Sequence, residues 1–66
     1  MDRIYKITKL GKRVLRDNSL SQEELNILQY LKDNKTASSS QLEVVGGERW
    51  LVRSLQRRKL VQELSE

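Results

Sequence analysis

Two helix-start signals of the same kind divide the middle of the sequence. Ser21 is followed three residues later by Glu24, and Ser38 is followed by Gln41. In such a capping box, the serine side chain and the side chain at the third helical position each bind a backbone N–H that the first helical turn leaves without a partner. The sequence therefore predicts a helix over residues 22–33 and a short helix after Ser38. The serines of the second signal also allow a flexible linker at that place.

Apolar residues recur at helical spacing after each signal and predict the buried faces. Gly46 and Gly47 predict a turn between the short helix and a third helix over residues 48–58. A final segment, residues 60–64, has the composition of a strand. Together these elements predict a core of Leu25, Leu28, Leu31, Leu42, Val52, Leu55 and Leu60.

The first 17 residues predict a strand followed by a basic helix. Residues 4–8 are rich in β-branched and aromatic side chains, and Thr8 is placed to cap a helix over residues 9–17. We expect the first strand to pair with residues 60–64 in a small antiparallel sheet. Gly11 lies inside the helix, where it either permits close packing or weakens the helix by about 1 kcal/mol.

Length and composition limit the classes of protein. The 66 residues suit one small domain or a fragment of a larger protein, and they include neither Cys nor His. Because the commonest nucleophiles, general bases and metal ligands are missing, we expect no enzyme activity, no metal and no cofactor. The predicted fold class is mainly α with a small antiparallel sheet, or α+β.

Positive charge is concentrated in two segments. The net charge is +4, but residues 1–16 carry six basic residues against one acid, and residues 49–59 carry five with no acid. Such basic segments favour an acidic partner such as nucleic acid. No apolar run is long enough to cross a membrane and the N-terminus is unlike a signal peptide, so we expect a cytoplasmic protein without membrane contact.

Residues 20–64 resemble a winged helix-turn-helix domain. The resemblance is carried by LSQEELNILQYL at 20–31, SSQLEVV at 39–45 and LQRRKLV at 55–61. Residues 5–15 are similar to the strand-to-helix stretch that many winged-helix proteins place after the wing. Here that stretch comes first, so either it supplies a strand to this domain or it closes a preceding module of a longer protein.

The resemblance implies a single winged-helix domain over residues 1–66, with 1–17 as the N-terminal strand and basic helix and 20–64 as the helix-turn-helix core and closing strand. This sequence departs from the family at two positions. Lys59 stands where glycine is usual, which predicts a less sharply turned helix end, and Glu48 stands where an apolar residue is often buried, which predicts a delayed helix start.

The implied function is sequence-specific binding of double-stranded DNA, as a transcriptional regulator, through a recognition helix at residues 48–58. Arg49 and Arg53 are expected to contact bases and Arg57 the backbone, because a helix in the major groove presents such side chains to guanine or phosphate. The alternative to DNA binding is that these three arginines are only solvated on an exposed helix face. The full set of expected DNA-binding residues is Arg49, Arg53, Arg57, Trp50, Ser39, Ser40, Lys12 and Arg13.

Several of these residues have second interpretations. Trp50 is expected to pack over the glycine turn, and contact with DNA or burial in a homodimer are its alternatives. Ser39 and Ser40 serve either in helix capping or in phosphate binding. A protein-docking or RNA-associated module of a larger assembly, with flanking domains, is the alternative function. It predicts an exposed apolar patch around Tyr5, Tyr30 or Trp50.

Overall fold

The computed structural model describes residues 3–17 and 19–64 and has an α+β fold. The described residues form four helices and a three-stranded antiparallel sheet. In chain order the elements are β1 (Ile4–Ile7), α1 (Lys9–Asp17), α2 (Gln22–Asn34), β2 (Thr36–Ser38), α3 (Ser39–Val44), α4 (Arg49–Arg57) and β3 (Val61–Leu64). The predicted fold class is therefore confirmed at this level.

The first strand of the chain is the central strand of the sheet. The strand order is β2-β1-β3, and β1 runs antiparallel to both neighbours. Ile4 is paired with Ser38 on one side and with Leu64 on the other. The predicted pairing of the two terminal strands is thus confirmed, and the first strand belongs to this domain's own sheet. The third strand, β2, lies in the short segment between α2 and α3, where residues 35–37 also allow an extended conformation by sequence.

Both predicted capping boxes are present. The Glu24 N–H donates to Ser21 Oγ at 3.3 Å, and the Ser21 N–H donates to Glu24 Oε1 at 3.0 Å. At the second box, the Gln41 N–H donates to Ser38 Oγ at 3.2 Å, and the Ser38 N–H donates to Gln41 Oε1 at 2.8 Å. The linker alternative is wrong, because Ser38 ends a strand and caps a helix.

The core lies between the sheet and the helices. Six of the seven predicted core residues are buried, and Leu25 is the exception. The buried face of α2 is centred between Ile27, Leu28 and Leu31, and at 100° per residue Leu25 lies roughly 115° from that centre, which leaves it half-buried. Among the described residues, the buried hydrophobic side chains are Tyr5, Ile7, Ile27, Leu28, Leu31, Ala37, Leu42, Leu51, Val52, Leu55, Leu60 and Val61.

Gly11 permits close packing of α1 on the rest of the domain. A Cβ atom at this position would overlap the Leu60 carbonyl oxygen and lie 2.7 Å from Ile7 Cγ1. The carbonyl belongs to the backbone and has little room to move. Of the two interpretations of Gly11, the structure supports close packing.

The end of α4 is turned sharply although Lys59 replaces the usual glycine. The Leu60 N–H donates to the Leu55 carbonyl at 2.9 Å and the Lys59 N–H donates to the Gln56 carbonyl at 3.0 Å, the two bonds of a Schellman motif. Lys59 takes the left-handed conformation, with φ of 61°, that this motif requires. The prediction of a less sharply turned helix end is therefore wrong. The prediction of a delayed helix start is confirmed, because Glu48 is the N-cap and α4 begins at Arg49.

No helix within the described ranges is long and apolar enough to span a membrane. The longest, α2, has 13 residues, whereas a span needs about 20.

Candidate nucleic-acid interface

Three arginines form a stripe along the exposed side of α4. Arg49, Arg53 and Arg57 recur every fourth residue and are exposed, and the opposite side of the helix buries Leu51, Val52 and Leu55. At 1.5 Å per residue, the three Cα atoms span about 12 Å along the helix. We call Arg49, Arg53 and Arg57 the arginine stripe.

Within the described residues, no ion pair involves the arginine stripe. The ion pairs seen in the described part of the chain join Arg3 to Glu63 and Arg58 to Glu24, so neither involves the stripe. α4 itself contains no acidic residue. The guanidinium groups of the stripe are therefore available to an anionic partner.

Trp50 lies among the arginines rather than in the core. The residue is 60% exposed, and its indole N–H donates to the Glu48 carboxylate. A shallow depression of about 490 Å³ is lined by Trp50, Ser54 and the arginine stripe. The expected packing of Trp50 over the glycine turn is wrong, because the turn leaves the indole largely in solvent.

A second depression, of about 300 Å³, joins α4 to the start of β1 and to α3. Arg49, Arg53, Ser39 and Arg3 all line it, and Glu43 adds one carboxylate. Arg3 was not among the predicted site residues. Its place beside α4 depends on β1 being the central strand, which no local pattern in the sequence reveals.

The serines of α3 differ in their surroundings. Ser39 is half-buried and its backbone N–H donates to the Arg3 carbonyl at 2.8 Å, so that amide is already bound. Ser40 is exposed. The N-cap of the helix is Ser38, whose side chain accepts from the Gln41 N–H.

The two predicted α1 residues lie apart from the depressions around α4. Lys12 and Arg13 are both exposed, and Lys12 lines a different depression together with Lys6 and Lys9. That depression shares no lining residue with the two beside α4. The structure therefore brings Arg49, Arg53, Arg57, Trp50 and Ser39 together, and it places Lys12 elsewhere.

Arg58 is separated from the arginine stripe by its own ion pair. Its guanidinium donates to the Glu24 carboxylate at the start of α2. The pKa of Glu24 is lowered, first because the Ser21 backbone N–H donates to the carboxylate and then because Arg58 does, while partial burial opposes the shift. Arg58 thus contributes to the fold, although it follows directly after Arg57.

Exposed apolar residues do not form one patch around the three expected aromatic residues. Tyr5 is buried and Tyr30 is half-buried, so only Trp50 of the three is exposed. Among residues 3–17 and 19–64, the other exposed large apolar residues are Ile4 in β1, Leu10 in α1 and Val44 in α3. The apolar patch that a docking module predicts is therefore not formed by these aromatic residues.

Comparison of the chain with protein-family models, with curated proteins and with solved structures finds no match. The function must accordingly be argued from the geometry of the chain. Within the described ranges, no three His, Cys, Asp or Glu side chains are grouped so that they would hold a metal ion.

Proposed function

We propose that the chain is a winged helix-turn-helix domain that binds double-stranded DNA sequence-specifically, as a transcriptional regulator. In this proposal α3, the turn at Gly46 and Gly47, and α4 form the helix-turn-helix. The observation that carries the proposal is the arginine stripe: three exposed guanidinium groups without an ion pair in the described structure, on a helix whose other side is buried.

The local geometry of the turn supports this assignment. Gly46 has φ of 90°, a conformation that glycine adopts without steric cost. The Gly47 N–H donates to the Leu42 carbonyl at 2.6 Å, and a Cβ at Gly47 would lie 2.7 Å from that same oxygen. The two glycines therefore hold the end of α3 against the start of α4, as a compact helix-turn-helix requires.

The chemistry of arginine supports the choice of partner. A guanidinium group donates two parallel hydrogen bonds to guanine O6 and N7 in the major groove, or to phosphate oxygens. Arg49 and Arg53 lie in the first half of α4, and the N-terminal part of a recognition helix contacts base edges. Arg57 lies in the last turn of α4, so we assign it to the DNA backbone.

The test compares two double variants that each remove two positive charges. Wild type first selects preferred sites from a random library of duplexes, and the base preference and affinity of each variant are then measured on that library and on the selected sites. For Arg49→Ala/Arg53→Ala we expect a loss of base preference, with about 1–3 kcal/mol lost per base contact. Lys12→Ala/Arg13→Ala removes the same charge from α1. It should weaken binding to all sequences alike and reduce the dependence on salt.

Selection and fluorescence anisotropy at several salt concentrations measure both effects. Equal base preference in wild type and in Arg49→Ala/Arg53→Ala contradicts the proposal, as does the absence of duplex binding by wild type at low salt. Either result would favour the docking or RNA-associated alternative.

A further inference from the structure

Five lysines from four places in the fold surround one depression of about 410 Å³. Lys6 comes from β1, Lys9 and Lys12 from α1, Lys32 from α2, and Lys35 from the residue after α2. We call this depression the lysine groove. Its remaining lining residues are Ile7, Thr8, Leu31 and Gln62.

No carboxylate neutralises the lysine groove from within. None of its lining residues is acidic, and the ion pairs found between described residues are made by Arg3 and Arg58, not by these lysines. The first turn of α1, which begins in the groove, also lacks an acid. Five ammonium groups at one depression repel one another, so the folded domain gains from any anion that binds there.

The backbone at Lys35 gives a second, independent indication. Lys35, the C-cap of α2, has φ of 70° and ψ of −50°, a backbone conformation that a residue with a Cβ rarely adopts. A lysine at such a position costs stability, and its side chain lines the groove. A strained backbone that carries a charged side chain into a charged cluster points to a function of that side chain.

We infer that the lysine groove binds the phosphate backbone of nucleic acid without regard to base sequence. Lysine interacts with phosphate as a point charge, whereas arginine and aromatic side chains, which hydrogen-bond or stack on bases, do not line the groove. The groove shares no lining residue with the depressions at the arginine stripe, so it is a second contact surface. The inference rests on the proposed function for the class of ligand.

The main experiment removes two charges from the groove and, in a matched control, two charges from elsewhere. Lys9→Gln/Lys32→Gln changes the groove, and Arg16→Gln/Lys59→Gln changes exposed residues outside it. Affinity for a mixed-sequence 20-base-pair duplex is measured by anisotropy between about 50 and 200 mM salt. We expect the salt slope to fall by about 1.8 for the groove variant, at 0.9 per phosphate contact, and by much less for the control.

A second pair of variants removes one charge at each lysine of positive φ. Lys35→Gly and Lys59→Gly each place glycine at a position of positive φ and remove one charge, but only Lys35 lines the lysine groove. We expect Lys35→Gly to lower the salt slope by about 0.9 and Lys59→Gly to leave it nearly unchanged. Equal slopes for the two glycine variants overturn the inference.

The outcomes separate this inference from the proposed function. If Arg49→Ala/Arg53→Ala loses base preference and the groove variant has the slope of its control, the proposed function stands and the lysine groove has no part in it. If the salt slope falls only for the groove variant and Arg49→Ala/Arg53→Ala keeps its base preference, the lysine groove binds phosphate and the arginine stripe does not read bases. A groove variant that loses binding to phosphatidylserine vesicles while it binds the duplex like wild type also overturns the inference, in favour of a membrane surface.

Discussion

At Gly11, a single missing methyl group allows α1 to pack on the sheet. Alanine would raise the helix propensity by about 1 kcal/mol. Its Cβ would, however, overlap the Leu60 carbonyl oxygen and crowd Ile7, and overpacking of this kind costs about 1–3 kcal/mol. The gain in helix propensity and the cost of overpacking have opposite signs. Because the Cβ meets a backbone atom that cannot easily move, we expect the cost to be the larger.

We therefore predict that Gly11→Ala lowers the free energy of unfolding, by up to about 2 kcal/mol net. Urea denaturation measures this, with Lys12→Ala as the control, because Lys12 is the next residue of α1 and is exposed. The control should stay within about 0.5 kcal/mol of wild type. A Gly11→Ala protein as stable as wild type would show that α1 shifts away from Leu60 without cost.

Between elements, Glu24 links the start of α2 to the end of α4. Its carboxylate accepts from Ser21 within the capping box and from Arg58 after α4. Because the pKa of Glu24 is lowered in the folded state, its contribution to stability is complete above the ordinary glutamate pKa, about 4.3, and is lost as the pH falls through the lowered folded value.

We predict that Glu24→Gln is less stable than wild type by about 1 kcal/mol at pH 7, since hydrogen bonds to a charged group are stronger than neutral ones. The difference should shrink towards zero below about pH 4. Denaturation of both proteins from pH 7 to pH 3 isolates this effect, because all other carboxylates titrate in both. A difference that is constant with pH would assign the loss to packing instead.

Elements whose sequence signals lie within a few residues of each other can be predicted from the sequence. The start of α2 was predicted to the residue because its capping box lies within four positions. The arginine stripe also follows from helical spacing alone. By contrast, Arg3 beside Arg49 and Lys6 beside Lys35 depend on the central position of β1, which is set by pairing with strands that lie far along the chain. The conformation of Lys59 could not be predicted from its residue type, because backbone hydrogen bonds hold this lysine in a conformation typical of glycine.

As a whole, the described part of the molecule measures 33 × 21 × 20 Å. One turn of B-DNA is about 34 Å long, so a single copy covers at most about one turn of a duplex. Under the proposed function, the arginine stripe and the lysine groove therefore either share one turn or engage separate segments of nucleic acid.

The pairing of Ile4 with Leu64 has a consequence for the connectivity of the chain. Because these residues are neighbours across β1 and β3, the chain can be rewired in a circular permutant that begins at Ser19, runs through residue 66 into residue 1 and ends at residue 18. The join then connects Leu64 to Ile4 through five residues, a common length for a hairpin connection. The permuted order places β1 and α1 after β3, where many winged-helix proteins have such a stretch.

We predict that this permutant unfolds cooperatively in urea, within about 2 kcal/mol of the parent, because the opening falls between α1 and α2, beside the exposed Ser19. A matched permutant with the same join, opened between Leu28 and Gln29, interrupts the buried face of α2 and should not fold. If the first permutant also fails to fold, β1 must be joined covalently ahead of α2 for the sheet to assemble. If it folds, the same surface can be displayed with its ends on the opposite side of the domain, free for fusion to a reporter.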